Sequence, residues 1–450
     1  MHIKLVQPKM SMRPMDTIIK PRMAPSLALL TLAALTPPHH EVTLADENVK
    51  SLDLLDCPDL VAITCNVDGA ARAYEIAAAY RRRGIPVVGG GIHVSAVPDE
   101  AGRHFDAICV GPAEALWTDI LRHAQSGTLR AVYRSTQPLR GIDMPIPRRD
   151  MVRPGDYLYT NTVAASRGCR FKCDFCYNSC DYVDHRAVNR PVPEVIREIE
   201  DLGTRHILFI DDNFIGSPDW TRDFLVALRN TGKSFQWNAA VSADLLNHLD
   251  LLDLMAETGC NSLFIGFETI NPESLVSVRK SQNRVERYEK LIDEIHGRKI
   301  MINASLVFGL DHDDASVFRA TLDWLVSNRI ETMTAHILTP YPGTRLHKEM
   351  LSAGRIIDTD HDHYNTSHVV YKPALLTSQE LREGYLWMYK QFYSFKNIAR
   401  RLPKNRRQMA PYLVFNLVYR KFGKTTALLA RVGMLGWLGR VARRIAYQMG

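Results

Sequence analysis

The sequence predicts an α/β protein made of two consecutive runs of parallel β/α units followed by a helical, basic C-terminal region. Short apolar runs alternate with helical stretches from residue 1 to about 140, the alternation restarts after about residue 158 with six repeats, and a segment rich in Pro and Arg separates the two.

In the first run the strands are residues 3–7 (IKLVQ), 59–65 (DLVAITC), 85–90 (IPVVGG) and 106–110 (DAICV), with a helix over 70–83. Strand alternating with helix is the pattern of a doubly wound parallel sheet, so residues 1–140 form a first domain. The linker, 141–158, contains Pro145 to Pro154 (PIPRRDMVRP), where proline blocks both helix and sheet. The second domain, 159–345, has expected strands at 160–166, 206–211, 236–241, 262–267, 301–308 and 333–338, and helices at 192–202, 219–230, 245–258 and 315–328. Six units are too few for an eight-fold barrel and predict a partial one, whose chemistry gathers at the C-terminal ends of the strands. Residues 346–450 complete the chain as a region with a basic helical tail.

A length of 450 residues and a hydrophobic content of 46% fit a folded protein of two or three domains, with no low-complexity tract. The opening MHIKLVQPKMSMRP lacks a basic-then-apolar signal organisation, and no run reaches the roughly 18 apolar residues of a membrane span. A cytoplasmic location, with peripheral contact at the inner membrane face as a further option, is the expectation. The net charge of +7 is unevenly spread: from Lys396 onward there are thirteen Lys and Arg and no acid, leaving 43 basic against 49 acidic residues before it.

Eight cysteines occur, and four of them fall between residues 169 and 180, which is metal-site clustering and not a disulfide framework. Cys169, Cys173 and Cys176 have the spacing C-x3-C-x2-C just past the first strand of the second run. Three thiolates so close can hold three irons of a cubane cluster and leave the fourth iron for a small ligand. Zinc is the competing reading: it needs a fourth ligand, for which Cys180 or His185 is available. Cys57, Cys65, Cys109 and Cys260 lie in or beside apolar segments and read as core residues.

That spacing, with the aromatic Phe175 before the last cysteine and six β/α units around it, resembles the radical S-adenosylmethionine (SAM) superfamily. The resemblance implies a [4Fe-4S] cluster on Cys169, Cys173 and Cys176, and SAM bound at successive strand ends. Asp211, Asp212 and Asn213 match the place where relatives bind the methionine amino group; Ser242 and Glu268 match contacts to the carboxylate or the ribose; Gly309 and the turn Pro342-Gly343-Thr344 match glycine-containing turns near the adenine and cluster. Each has a plainer reading, as a helix N-cap or a turn. The implied chemistry is homolysis of SAM to a 5′-deoxyadenosyl radical that abstracts hydrogen from an unactivated carbon, with an electron donor such as flavodoxin or ferredoxin.

An α/β domain ahead of such a barrel is similar to the cobalamin-binding (B12-binding) branch of the superfamily. The fold implied is thus a flavodoxin-like, Rossmann-type B12-binding domain, a partial (β/α)6 radical SAM barrel and a helical basic C-terminal region. Asp68 and Gly69, the turn Gly89-Gly90-Gly91 and Glu114 match the corrinoid-facing loops, where glycine lets backbone approach the nucleotide tail. The motif D-x-H-x-x-G, which supplies a histidine to cobalt, is missing from residues 1–140. His93, after the glycine turn, reads as a helix cap or a solvent-facing residue.

Leu338 to Thr344, Gly354-Arg-Ile356 and Tyr364 resemble a subgroup that includes hopanoid methylases and bacteriochlorophyll-type enzymes, whose substrates are large and greasy. The implied function is a cobalamin-dependent C-methyltransferase acting on a small-molecule or lipid-like substrate. Alternatives are a radical oxidoreductase or cyclase without methyl transfer, and a zinc-stapled protein that binds nucleic acid or membrane. The tail places Leu428, Val432, Leu435, Leu438 and Ile445 at helical spacing among arginines, a pattern that suits a membrane surface or packing on the barrel. It carries no nucleic-acid recognition module.

Overall fold

The computed structural model describes residues 1–419 except 15, 17–19, 136–137 and 184–185. His185 and the tail helix expected around Leu428 to Ile445 lie outside the described residues. The chain divides into two compact units that do not follow chain order: Met1–Thr160, Phe175–Asp184 and Pro340–Asn365 form the first, and Asn161–Asp174, His185–Thr339 and Thr366–Gly450 the second.

The first unit is built on β1 (His2–Gln7), β2 (Glu41–Asp46), β3 (Leu60–Thr64), β4 (Val87–Gly90), β5 (Ala107–Val110) and β6 (Val132–Arg134). They make one parallel sheet in the order β2-β1-β3-β4-β5-β6. Both faces are apolar because both are covered. On one, Ile63, Val61 and Val87 pack with Ala73, Ile76 and Tyr80 of helix Ala70–Arg81. On the other, Leu5, Ala62 and Val88 pack with helices Leu27–Leu35 and Trp117–Gln125. Neither β2, β6 nor the helix at 27–35 is expected from the sequence. β2 (EVTLAD) is an edge strand without a buried face, and LALLTLAAL is apolar all round, so it has no period to read.

The second unit has β7 (Thr162–Val163), then the short antiparallel pair β8 (Ser166–Arg167) and β9 (Val188–Asn189), then β10 (His206–Phe209), β11 (Gln236–Val241), β12 (Cys260–Glu268), β13 (Met301–Phe308) and β14 (Thr332–Ile337). The six long-sheet strands are all parallel and lie in chain order, β7 next to β10 and onward to β14. The expected single strand at 160–166 is two pieces, because Ala165 and Ser166 turn to meet Asp211.

β14 is one edge of this sheet, and it is covered by side chains of helix Ser378–Phe392 and the residue after it. Tyr393 accepts from the Met333 amide (3.1 Å) and donates to the Met333 carbonyl (2.7 Å), and Tyr389 does the same at Ala335 (3.0 and 3.1 Å). Arg401 is fully buried and donates to the carbonyls of Ile330, Glu331 and Phe392 while lying 3.5 Å from the centre of the Phe392 ring. It is an anchor of the fold and not part of a solvated basic face. Among the described residues no helix is long and apolar enough to cross a membrane.

Candidate active site

The cysteine loop follows β8. Cys173 is buried, Cys169 and Cys176 are half-buried, and all three are free thiols. Burial pushes the Cys169 thiol above its ordinary value, while the Phe171 backbone N–H pulls it down. Cys173 accepts a hydrogen bond from Gln282 Nε2 at 3.5 Å. Free thiols with N–H donors aimed at sulfur suit metal-bound thiolates. Cys169 and Cys173 count with the second unit; Phe175 and Cys176 count with the first, and Phe175 is half-buried there. Cys180 is buried and not a surface thiol, and its thiol is pushed up to about 11 by burial. Cys57 is exposed, which corrects its expected place in the core: it sits in an irregular segment beside the apolar β3.

The ends of β10 to β13 carry the polar residues expected there. Asp211 is buried and accepts from the amides of Ala165 (3.2 Å) and Ser166 (2.5 Å) and from Ser166 Oγ (2.5 Å). Burial pushes its carboxyl up to about 6 against the pull of those donors. Asp212 is exposed and accepts from the Gly168 amide at 2.8 Å, directly beside Cys169. Asn213 donates to Ser242 Oγ (2.9 Å) and accepts from the Ser242 amide (3.2 Å), which ties the end of β10 to the end of β11. Ser242 in turn donates to Asp244, which Arg170 grips at 2.6 Å.

Glu268 ends β12 in the left-handed region, φ 64°, after a register shift at Gly266. A non-glycine residue held there is strained backbone of the kind that clusters at functional sites. Its carboxylate pairs with the buried Lys280, and Asn283 holds the carbonyls of Gly266 (2.8 Å) and Phe267 (3.0 Å). A Cβ on Gly266 would meet Glu268 Oε1 at 2.6 Å, so the pair requires glycine beside it. Gly309, φ 92°, closes β13; its amide and that of Leu310 donate to Asp313, and its carbonyl accepts from Tyr371.

In the first unit, Asp68 and Gly69 follow β3 at the point where the strand order reverses between β1 and β3. Ligands of open parallel sheets bind at such switch points. Gly69 has neighbours no nearer than 3.6 Å to a Cβ. Burial pushes the Asp68 carboxyl up, with the Arg13 and Lys20 cations pulling it back. Gly89 and Gly91 have internal reasons to be glycine: a Cβ would meet the Phe105 ring at 2.4 Å and the Cys65 backbone at 2.9 Å. Gly90 leaves its Cβ position open to 3.9 Å, and Glu114 is half-buried after β5. His93 is fully buried, which corrects its reading as solvent-facing.

Residues 163–325 match the radical SAM superfamily. The chain is 30% identical to bacteriochlorophyllide d C-12(1)-methyltransferase of Chlorobaculum tepidum over 84% of each chain. It belongs to the radical SAM superfamily, in its methyltransferase branch. The bacteriochlorophyllide d C-8(2)-methyltransferase of the same organism is 29% identical over 88% of this chain and 91% of the relative. The radical SAM methyltransferase TsrM of Kitasatospora setae, solved with cobalamin and a [4Fe-4S] cluster, shares the fold with a TM-score of 0.66 at 18% identity, over 99% of this chain and 100% of that one. Radical SAM membership brings a [4Fe-4S] cluster and SAM as cofactors and excludes the zinc-staple alternative. Ser166, Lys280 and Gln282 were not singled out in the sequence; Lys280 and Gln282 stand in a polar loop (RKSQNR) that looks like any solvated turn.

Proposed function

We propose that this radical SAM enzyme is a cobalamin-dependent C-methyltransferase that acts on an unactivated carbon of a small-molecule or lipid-like substrate. The carrying observation is the match along 84% of both chains to a methyltransferase named for a tetrapyrrole carbon. In this reading residues 1–140 are a flavodoxin-like cobalamin domain, consistent with the strand order β2-β1-β3-β4-β5, and the second unit is the partial barrel.

When bound, the cluster supplies an electron for cleavage of SAM and the corrinoid supplies the methyl group. The thiolates of Cys169, Cys173 and Cys176 would hold the cluster. Asp212 and Asn213 would bind the methionine amine, and Ser242 and Glu268 its carboxylate or the ribose hydroxyls, with Lys280 setting the direction of the Glu268 carboxylate. The Gly309 turn would flank the adenine. Asp68, Gly69 and Gly90 leave backbone open to the corrinoid, with Glu114 at the rim, while Asp211 keeps β7 and β10 in register. Fixed positioning is the main contribution of such side chains. A flavodoxin or ferredoxin is the electron donor, and the tail beyond residue 419 is the segment for contact with an anionic membrane.

The test is anaerobic incubation with methyl-deuterated SAM, hydroxocobalamin and candidate tetrapyrrole and hopanoid acceptors. A deuterated methyl on product, lost in Cys173→Ala together with the iron, is expected. Formation of 5′-deoxyadenosine with no transferred label would favour a radical oxidoreductase or cyclase instead.

A further inference from the structure

Within the first unit three metal-ligating side chains converge away from the cysteine loop. His93 stands in the short helix after the Gly91 turn, Glu100 in the next helical turn (Pro98–Ala101), and His361 in the turn His361–His363. His93 Nε2 lies 3.5 Å from Glu100 Oε1 and His361 Nδ1 lies 3.7 Å from the same oxygen. One ligand atom from each of the three falls within 4.8 Å of the others. Tyr74, from helix Ala70–Arg81, donates to Glu100 Oε1 at 3.0 Å and lies 3.1 Å from His93 Nε2.

Separations of 3.5 and 3.7 Å between imidazole nitrogen and carboxylate oxygen are long for hydrogen bonds. They are close to the edge of a tetrahedron of donors placed about 2.0–2.2 Å from a central zinc ion, which is about 3.3–3.6 Å. The backbone that presents His93 is fixed: its amide donates to the Cys65 carbonyl at 3.1 Å, and Gly91 is held at φ 103°.

We propose that His93, Glu100 and His361 form a binding site for a divalent transition-metal ion of the zinc type. Two imidazoles and one carboxylate are a nitrogen-rich set that suits zinc over magnesium or calcium, which prefer oxygen. Tyr74 steers the carboxylate through its hydrogen bond. Glu100 is about a third exposed at its side chain, so a water can fill the fourth position. The metal fastens the turn at His361 to the two short helices between β4 and β5, elements otherwise separated by most of the chain.

The experiment uses the full chain with its cluster reconstituted. After chelator treatment and desalting, one equivalent of zinc is added, excess is removed, and zinc and iron are counted by plasma mass spectrometry, with thermal unfolding followed in parallel. One retained zinc per chain, an unchanged iron count and a higher melting temperature with zinc are expected. In His361→Ala and Glu100→Gln the zinc affinity should fall by more than the about 10 to 100-fold that loss of an outer-shell partner costs, with iron unchanged. Cys173→Ala should lose iron and keep zinc. Retention of zinc in both site variants, its loss in Cys173→Ala, or no retention by the parent chain would each overturn the site. Because zinc is counted independently of methyl transfer, this result and that of the activity assay fail separately.

Discussion

Asp313 offers a measurement in which one carboxyl can be neutralised with its hydrogen bonds kept. It is buried and accepts from the amides of Gly309 (3.0 Å) and Leu310 (3.1 Å) on one oxygen and from Ser274 Oγ (2.9 Å) on the other. In Asp313→Asn the amide oxygen can take the two backbone donors, and the amide nitrogen can donate to Ser274, whose hydroxyl also accepts. What the substitution removes is the charge. Burial pushes the Asp313 carboxyl up to about 6 from its ordinary 3.8, against the pull of the three donors. At about 1.4 kcal/mol per tenfold in proton affinity, the ionised form weakens the fold by on the order of 3 kcal/mol. The sign follows from proton counts. Below about pH 4 both folded and unfolded states are protonated and nothing is lost. Between about pH 4 and pH 6 the folded state keeps a proton that the unfolded state has released, so stability falls as pH rises, and above that range the full penalty applies. Denaturant unfolding of both proteins across this range gives the difference in stability, in which all other carboxyls cancel. The advantage of Asp313→Asn over the parent should grow with pH by on the order of 3 kcal/mol. A flat difference, or one that shrinks with pH, would refute the argument.

Gln282→Leu removes the N–H that donates to Cys173 sulfur. A hydrogen bond to a charged acceptor is worth about 1.5–3 kcal/mol, and about half of that acting on the more negative reduced cluster lowers its potential by about 30–60 mV. Redox titration followed by electron paramagnetic resonance checks this, and an unchanged or raised potential counts against the hydrogen bond. In Gly309→Ala the new Cβ would meet Tyr371 Oη at 2.3 Å and Leu381 Cδ2 at 2.6 Å with φ at 92°, so a loss of about 2–4 kcal/mol is expected in equilibrium unfolding. A cost under about 1 kcal/mol would mean the turn has room that the packing denies. Asp211→Ala, which strands the amides of Ala165 and Ser166, should cost about 3 kcal/mol or more and be visible as a fall in melting temperature.

The cysteine spacing and the strand ends were legible because a parallel β/α repeat puts its C-terminal loops on one side whatever the side chains are. The apolar cores of β3, β4, β12 and β13 could be read directly, since strands covered on both faces are almost wholly apolar. Partners that meet across long stretches of chain could not. Gln282 and Cys173 are 109 residues apart, and no spacing rule connects a polar loop to a thiol at that distance. The burial of His93 is hidden from local sequence for a similar reason. Its immediate neighbours, Gly91 and Ile92, indicate only a turn, whereas its burial comes from Tyr74 and from a segment beyond residue 340. Arg401, counted among the basic residues of the tail, is drawn into the fold by the carbonyls of Ile330 and Glu331, just ahead of β14, and of Phe392, at the end of helix Ser378–Phe392.

The two tyrosine hydroxyls along β14 bear on how the protein behaves at high concentration. A parallel sheet that stops at six strands leaves a row of amides and carbonyls able to pair with a strand from another molecule. Tyr393 and Tyr389, one helical turn apart, occupy both groups of Met333 and of Ala335, and the Thr366 carbonyl takes the amide of Ile337 at 2.8 Å. Three successive outward positions of the edge are thus already spent within the chain. On this side the sheet has no template left for a strand from another molecule.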